Sequence, residues 1–253
     1  MLMSTPLKKI VIIGATSSMA EHCARLWVAQ GAAALTLVGR DRARTESVAA
    51  DLRVRGSQAS VAVETVDFED ARAIASLAAG LATSGPIDLV LIAHGSLPDQ
   101  PSCQRDLDAC ASALSVNGVS PVLFAEAFAA AFDAAGRGTL VLIGSVAGDR
   151  GRRSNYVYGA AKGLVTRYAQ GLQHRFAGTA IKVVLVKPGP TDTPMTSHLK
   201  QQGTRMATPE EVAHLIVDGA AHGKPVVYAP KKWALIMMII RHLPSVVFNK
   251  MNI

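Results

Sequence analysis

Cysteine and aromatic residues are both scarce in this chain of 253 residues. The three cysteines, Cys23, Cys103 and Cys110, form neither a paired disulfide framework nor a metal-ligand spacing. We therefore expect reduced thiols, a cytoplasmic protein and no metal. Aromatic residues make up 5% of the chain, and aliphatic residues supply most of the 49% hydrophobic content, which suits a buried sheet covered by helices. Residues 1–9 contain too few apolar residues for a signal peptide.

The charge balance is basic, with a formal net charge of +7. Such a balance can indicate a nucleic-acid partner, a membrane surface or an anionic substrate. The sequence has no helix-turn-helix, zinc-finger or aromatic-basic RNA motif. We therefore expect no nucleic-acid partner, and the other two readings stay open.

Short apolar runs alternate with helical patterns along the chain. The runs predict strands at 9–14, 35–38, 61–66, 87–92, 139–143, 181–186 and 226–228, and the helical patterns include 18–30, 42–55, 106–132 and 155–176. This alternation predicts an α/β fold: a Rossmann-like, doubly wound, seven-stranded and mostly parallel sheet with helices on both faces. We expect one dinucleotide-binding domain over residues 1–232 and an amphipathic tail over 233–253.

A glycine-led turn joins the first strand to the first helix. Residues 14–20 read Gly-Ala-Thr-Ser-Ser-Met-Ala, and main-chain N–H groups at such a helix start favour phosphate. The predicted cofactor-binding residues here are Gly14, Thr16, Ser17, Ser18 and Met19. Because Ser18 and Ala20 replace the usual second and third glycines, an ordinary strand-to-helix turn is the alternative.

Two further positions point to the adenosine end of a dinucleotide. Arg40 follows the second strand and favours NADP(H), because an arginine there accommodates a 2′-phosphate; the neighbouring Asp41 keeps NAD(H) open. Asp67 ends the third strand, where it could cap the adenine amino group; the alternative is a helix N-cap. We add the adjacent Phe68 to the predicted cofactor-binding residues.

Tyr158 and Lys162 are the strongest catalytic candidates. Their spacing of four places both side chains on one helix face, and a nearby cation favours the ionised form of a phenol. Ser145 lies thirteen residues upstream. Tyr156 is too early in the helix to share that face with Lys162. We interpret the set as the centre of a hydride-transferring enzyme.

From about Lys9 to Pro230 the chain resembles the short-chain dehydrogenase/reductase family. The resemblance rests on the order and spacing of the Gly14 turn, Asp67, Asn117, Ser145 in Ile-Gly-Ser-Val-Ala-Gly, Tyr158 with Lys162, and Pro-Gly-Pro-Thr-Asp-Thr at 188–193. One departure is Ala93-His94-Gly95, where the family has Asn-Ala-Gly.

The resemblance implies a catalytic tetrad of Asn117, Ser145, Tyr158 and Lys162. Tyr158 would be the general acid in hydride transfer from a nicotinamide to a carbonyl, and Ser145 would hydrogen-bond the carbonyl oxygen. Lys162 would lower the Tyr158 pKa and hold the nicotinamide ribose, while Asn117 would hold a proton-relaying water. The implied cofactor-binding residues also include Tyr158, Lys162, Ala93, Gly95, Pro188, Gly189, Thr191 and Thr193. The family also implies a homo-oligomer paired through the helices at 106–132 and 155–176.

Three stretches, 148–159, 195–200 and 241–253, are similar to the decaprenylphosphoryl-2-keto-erythro-pentose reductases. Those enzymes reduce the 2-keto sugar of a polyprenyl-phosphate lipid, which implies a cell-wall precursor as substrate and a flavin oxidase as partner. One or more of Arg150, Arg152 and Arg153 would then bind the lipid phosphate, since guanidinium forks suit phosphate oxygens. The alternative for these arginines is a solvated, charged loop.

The apolar tail carries Trp233 near one end and basic residues at both. Arg241 and His242 interrupt it too early for a membrane-spanning helix. An interfacial segment on the inner membrane surface, a subunit contact and a helix packed on the domain's own core all remain open. Two further functions are also open: reduction of another carbonyl, such as an oxoacyl thioester or small ketone, and a non-catalytic dinucleotide sensor.

Overall fold

The computed structural model describes residues 7–56, 58–197 and 205–251. Residues 198–200 and residues 252–253, which carry part of the subfamily resemblance, lie outside the described residues. The described chain contains one seven-stranded sheet, and every pair of neighbouring strands is parallel. The prediction of a doubly wound α/β fold is confirmed.

The strands lie in the order β3-β2-β1-β4-β5-β6-β7. They are β1 (Lys9–Ile13), β2 (Ala34–Gly39), β3 (Ser60–Thr65), β4 (Leu89–Ile92), β5 (Arg137–Ile143), β6 (Ala180–Pro188) and β7 (Val226–Ala229). Each contains a predicted run or most of one. Central β1 is buried along nearly its whole length, as expected for a strand covered on both faces.

Ten α-helices lie in the described residues. They are α1 (Ser18–Ala29), α2 (Arg42–Arg55), α3 (Ala71–Thr83), α4 (Gln100–Arg105), α5 (Leu107–Leu114), α6 (Ser120–Ala135), α7 (Tyr156–Arg175), α8 (Pro209–Ala221), α9 (Lys232–His242) and α10 (Ser245–Phe248). Asp70 caps α3 by accepting hydrogen bonds from Arg72 N and Ala73 N. The alternative reading of Asp67 as that helix's cap is therefore wrong.

Alternate side chains of the strands feed two separate cores. Ile10 and Ile12 of β1 belong to the core that also contains residues of α1, α2 and α8. Val11 and Ile13 belong to the core on the opposite face, with residues of α3, α6 and α7. Because side chains alternate between faces along a strand, one strand stabilises both layers of helices.

The single helix expected over 106–132 is interrupted. Helices α5 and α6 are joined by a π-helical turn, Ser115–Val119, and such turns occur frequently at functional sites. By length and composition the stretch Leu107–Ala135 could span a membrane, but half of its apolar window is buried in the fold. Phe124, Phe128 and Phe132 of α6 are fully buried, which identifies α6 as a core helix of the domain.

Candidate active site

The predicted site residues gather at the carboxyl edge of the parallel sheet. The Gly14 turn follows β1, residues 93–95 follow β4, Ser145 follows β5, and the loop at 188–193 follows β6. The strand order reverses between β1 and β4. In open parallel sheets, ligands bind in the crevice at such a reversal.

The glycine turn leaves no room for a side chain at Gly14. Gly14 has φ +78°, and an added Cβ would lie 2.6 Å from the main-chain nitrogen of His94. Both the backbone conformation and this close approach exclude a side chain here. Ser17 occupies the N-cap of α1, and its side chain makes no capping hydrogen bond. Because residues 16–19 are small or partly exposed, the start of α1 is accessible to a phosphate.

Arg44 is a candidate that the sequence prediction missed. It lines a surface cavity of about 290 Å³ together with Thr16 and Ser47. Arg40 is exposed at the end of β2, and its guanidinium carbon lies 5.8 Å from the Phe68 ring centroid. Helical spacing could not have indicated Arg44, because Arg40 precedes α2 and shares no helix face with it. Arg44 lies beside the Gly14 turn through its shared cavity with Thr16.

Asp67 is exposed on the same side of the sheet. One of its carboxylate oxygens accepts a hydrogen bond from Glu69 N at 2.9 Å, which fixes the side chain in a local turn. The adjacent Phe68 is buried, and its ring packs edge-on against His94 and Phe124. The predicted contact of Asp67 with adenine stays a prediction.

His94 stands where the family has an alanine. Its Nε2 lies 2.9 Å from the Ser120 hydroxyl, while Nδ1 is buried without a protein partner. Burial, aided by Lys162 and Arg40, lowers the pKa of His94 to about 3. The imidazole is therefore neutral at physiological pH.

Asn117 lies within the π-helical turn and ties that turn to the loop after β4. Its amide nitrogen donates to the Ala113 carbonyl at 2.9 Å and to the Ser96 hydroxyl at 3.2 Å, while its oxygen accepts from Ser96 N at 2.8 Å. The side chain is fully buried, and both its nitrogen and its oxygen are hydrogen-bonded. Asn117 therefore fixes the loop that carries Gly95 over Lys162.

Ser145 and Tyr158 are brought together by close packing of the loop after β5 on α7. An added Cβ on Gly148 would lie 2.6 Å from the Lys162 carbonyl, so the loop approaches the helix backbone directly. The Ser145 hydroxyl hydrogen-bonds Tyr158 and also accepts from Ala147 N at 3.1 Å. The catalytic roles expected of Ser145 and Tyr158 stay predictions.

Lys162 differs from the expectation in one respect. Its ammonium lies 5.9 Å from the Tyr158 ring centroid and donates to the Ile143 carbonyl at 3.1 Å. Burial raises the pKa of Tyr158, and the Ser145 hydrogen bond opposes that rise, with no part from Lys162. Burial also lowers the pKa of Lys162 to about 8. The expected lowering of the Tyr158 pKa by Lys162 is absent because the ammonium is directed toward β5.

The loop after β6 is closed by its own hydrogen bonds. The Thr191 hydroxyl donates to the Gly189 carbonyl at 3.0 Å, and Thr193 N donates to the Thr196 hydroxyl at 3.1 Å. The Thr196 hydroxyl in turn hydrogen-bonds the Thr191 carbonyl. Pro188, Gly189, Thr191 and Thr193 therefore form one ordered segment beside the catalytic candidates.

The three arginines of the loop between Ser145 and Tyr158 have different surroundings. Arg150 donates to two main-chain carbonyls of the C-terminal tail. Arg152 is partly buried, its Nε has no protein partner, and burial lowers its pKa. Arg153 is exposed. Of the three, Arg152 has a buried donor left for a ligand.

Among the described residues, no group of three or more His, Cys, Asp or Glu side chains could hold a metal ion.

A family model described as short chain dehydrogenase matches residues 8–204. This chain belongs to that family. Its members are NAD(P)-dependent oxidoreductases acting on CH–OH and C=O groups, so the predicted enzyme class is confirmed. An uncharacterised oxidoreductase of Mycobacterium tuberculosis is 35% identical over 96% of both chains. Another, from Streptomyces coelicolor, is 32% identical over 98% of this chain and 97% of its own.

Solved structures agree with this fold. A short-chain dehydrogenase from Sphingobium yanoikuyae in complex with NADPH has a TM-score of 0.82 at 22% identity and covers 97% of both chains. A short chain dehydrogenase from Burkholderia cenocepacia in complex with NADP has a TM-score of 0.82 at 18% identity and covers 99% of this chain and 98% of its own. At these identities the likeness concerns the fold.

Proposed function

We propose that this protein is an NADP(H)-dependent reductase that converts a keto group into an alcohol. The observation that carries the proposal is the hydrogen bond between Ser145, which follows β5, and Tyr158 of α7, one helical turn before Lys162. A sensor that only binds a dinucleotide would have no need of a half-buried phenol paired with a serine hydroxyl.

When bound, NADPH supplies the hydride. Tyr158 holds a proton at neutral pH, because burial raises its pKa, and donates that proton to the carbonyl oxygen as general acid. Ser145 donates a hydrogen bond to the same oxygen, where negative charge develops. The Lys162 ammonium, near Gly95, would hold the nicotinamide ribose, and Asn117 fixes the loop that carries Gly95.

The preference for NADP(H) rests on Arg40 and Arg44. Arg44 lines the same cavity as Thr16, and Arg40 follows β2; a 2′-phosphate there would supply the countercharge. Two structures of the same fold are complexes with NADPH or NADP, which agrees with this preference. NAD(H) remains the alternative through Asp41.

The test is NADPH oxidation with a panel of carbonyls, namely keto sugars, oxoacyl thioesters and small ketones. We expect turnover of at least one class and a loss of roughly a hundred-fold or more in kcat for Tyr158→Phe. Tyr156→Phe is the matched control, since Tyr156 is exposed at the start of the same helix. Cofactor binding without turnover of any carbonyl would instead indicate the sensor.

For the substrate, we propose the 2-keto sugar of a polyprenyl-phosphate lipid, formed by a flavin oxidase partner. The loop and tail resemblance supports this choice, and Arg152 offers a partly buried donor for the phosphate. Arg152→Ala should raise KM for the phosphorylated keto sugar at least ten-fold, and KM for the same sugar without its phosphate should stay unchanged. An equal KM change for both would contradict the phosphate contact.

We further propose that the tail lies on the inner membrane surface. Leu235, Met238 and Ile239 are exposed on one face of α9 and flanked by basic residues, a pattern typical of interfacial helices. The full chain should float with anionic liposomes, and a chain ending at Lys232 should not. Equal flotation of the two would contradict this placement.

We also propose a homo-oligomer paired through α5, α6 and α7. The exposed apolar residues here are Leu114 of α5, Leu164 of α7 and Val119 of the π-helical turn between α5 and α6, and an exposed apolar patch is typical of an interface. Light scattering after size exclusion should report a dimer or larger, and Val119→Glu with Leu164→Glu should give a monomer. A monomeric wild-type protein would contradict the pairing.

A further inference from the structure

A buried ion pair lies beneath the C-terminal tail. The side chains of Lys187 and Asp149 are 4% and 2% exposed, and the lysine ammonium hydrogen-bonds one carboxylate oxygen. The Tyr228 hydroxyl donates to the other oxygen at 2.8 Å. Both oxygens are therefore partnered, as a buried carboxylate requires. The reductase mechanism above uses none of these three residues.

The pair joins three segments around the site. Asp149 belongs to the loop that follows Ser145, Lys187 precedes the segment at 188–193, and Tyr228 belongs to β7 immediately before the tail. Arg241 of α9 also hydrogen-bonds Tyr228. The tail is thereby connected to both loops that border the catalytic candidates.

Arg150 makes a second connection from the position next to Asp149. Its Nη1 donates to the carbonyls of Ile240 and Leu243, each at 2.6 Å, at the C-terminal end of α9. Such terminal carbonyls lack partners inside the helix, and a cation is favoured there. The same guanidinium lies 3.8 Å from the Phe248 ring centroid in α10. Arg150 thus holds both tail helices.

The start of the tail makes a third contact. An added Cβ on Gly189 would lie 1.9 Å from Trp233 Nε1, so the indole rests directly on the loop after β6. Arg150 and Gly189 touch the tail directly, and Asp149 is connected to it through Tyr228 and Arg241.

We propose that Asp149 and Arg150 are positioning residues that hold the C-terminal tail as one wall of the substrate cleft. The tail then sets how well a carbonyl substrate is held beside Tyr158, while Arg150 itself touches neither substrate nor cofactor. This inference rests on the proposed reductase function. It also gives Arg150 a different role from the phosphate contact expected from the sequence.

Trp233 provides a readout that does not depend on activity. In a Trp27→Phe background it is the one remaining tryptophan, so acrylamide quenching reports its release from Gly189. Arg150→Ala should raise the quenching constant roughly two-fold or more and speed tryptic cleavage at Arg241, because its two hydrogen bonds to the tail are lost. Arg150→Lys, which keeps one cation at the helix end, should fall between Arg150→Ala and wild type. Phe248→Ala, which leaves Arg150 intact, should reproduce the release.

Kinetics test the second half of the inference, with the most active carbonyl of the panel as probe. Arg150→Ala should raise KM for the carbonyl roughly ten-fold while kcat changes less than about two-fold. The Kd for NADPH should not change. Arg72→Ala, an exposed arginine at the start of α3, is the matched control and should behave as wild type in every measurement.

Each way in which this proposal could fail gives a different experimental result. Unchanged quenching of Trp233 in both Arg150→Ala and Phe248→Ala would show that Arg150 does not hold the tail. Released tail with an unchanged KM would overturn its role in substrate binding, and a fall in kcat alone would assign Arg150 to the chemical step instead. In the last case, the wild-type protein turns over no carbonyl while Arg150→Ala still releases Trp233. That result would overturn the proposed reductase function and the role of the tail in the substrate cleft, but it would leave the contact between Arg150 and the tail intact.

Discussion

The cofactor side and the tail side of the site are held by different kinds of contact. On the cofactor side, the turn at Gly14 depends on main-chain conformation and on the close approach of His94. On the tail side, side chains far apart in sequence meet: Arg150 reaches Ile240 and Leu243 across 90 and 93 residues. The comparison teaches that a local pattern can predict the glycine turn, because its main-chain conformation is local, whereas the contacts of His94 with the turn and of Arg150 with the tail depend on tertiary packing.

The largest expected effect breaks the tail side. Asp149→Ala leaves the Lys187 ammonium buried without its carboxylate, and breaking a buried pair in this way costs about 3–5 kcal/mol in the free energy of unfolding. Urea unfolding followed by circular dichroism measures the loss. The matched control is Asp218→Ala, which breaks an exposed pair with Lys224 and should cost less than about 1 kcal/mol. Similar small losses for both variants would argue against a structural role for the buried pair.

The second effect breaks the cofactor side. Gly14→Ala combines a left-handed backbone with a contact at 2.6 Å, and the two together should cost about 2–5 kcal/mol and abolish NADPH binding. Gly136→Ala isolates the backbone part, because Gly136 has φ +68° and nothing lies within 4 Å of an added Cβ. We expect it to cost about 1–2 kcal/mol and to leave NADPH binding intact. Equal losses in stability would show that the approach of His94 is not limiting.

Features that depend on local sequence were predicted, and features that depend on tertiary contacts were not. The spacing of Tyr158 and Lys162 and the run of β1 are local, and the structure contains both as expected. The π-helical turn at Ser115–Val119 was not predicted, because the apolar periodicity of α5 and α6 gives no sign of one extra residue in the turn. The Asp149–Lys187 pair was missed for a different reason: residues 38 positions apart meet only through the sheet order. The direction of the Lys162 ammonium is likewise set by a tertiary contact, the Ile143 carbonyl.

A smaller effect would sharpen the cofactor side. Arg40→Ala should weaken NADPH binding about ten- to a hundred-fold, as expected for the loss of a charge-assisted contact to a 2′-phosphate. Binding of NADH should stay unchanged, because NADH lacks that phosphate. Arg42→Ala, an exposed arginine at the first position of α2, is the control, and cofactor fluorescence titration is the measurement. Equal weakening of both cofactors would remove Arg40 from phosphate recognition.

The smallest effect concerns His94, which lies at the back of the glycine turn. Its folded-state pKa is lowered to about 3, whereas the unfolded chain titrates at about 6.5. Between these values the unfolded state binds the additional proton, so the free energy of unfolding falls as pH falls, by at most about 1.4 kcal/mol per pH unit. Above about pH 7 this contribution is constant. Urea unfolding from pH 7 to pH 4.5 should give a shallower slope for His94→Asn than for wild type, because asparagine has no proton to gain. Parallel slopes would mean that His94 is protonated inside the folded protein, and the loop would then have to supply a partner for its buried Nδ1.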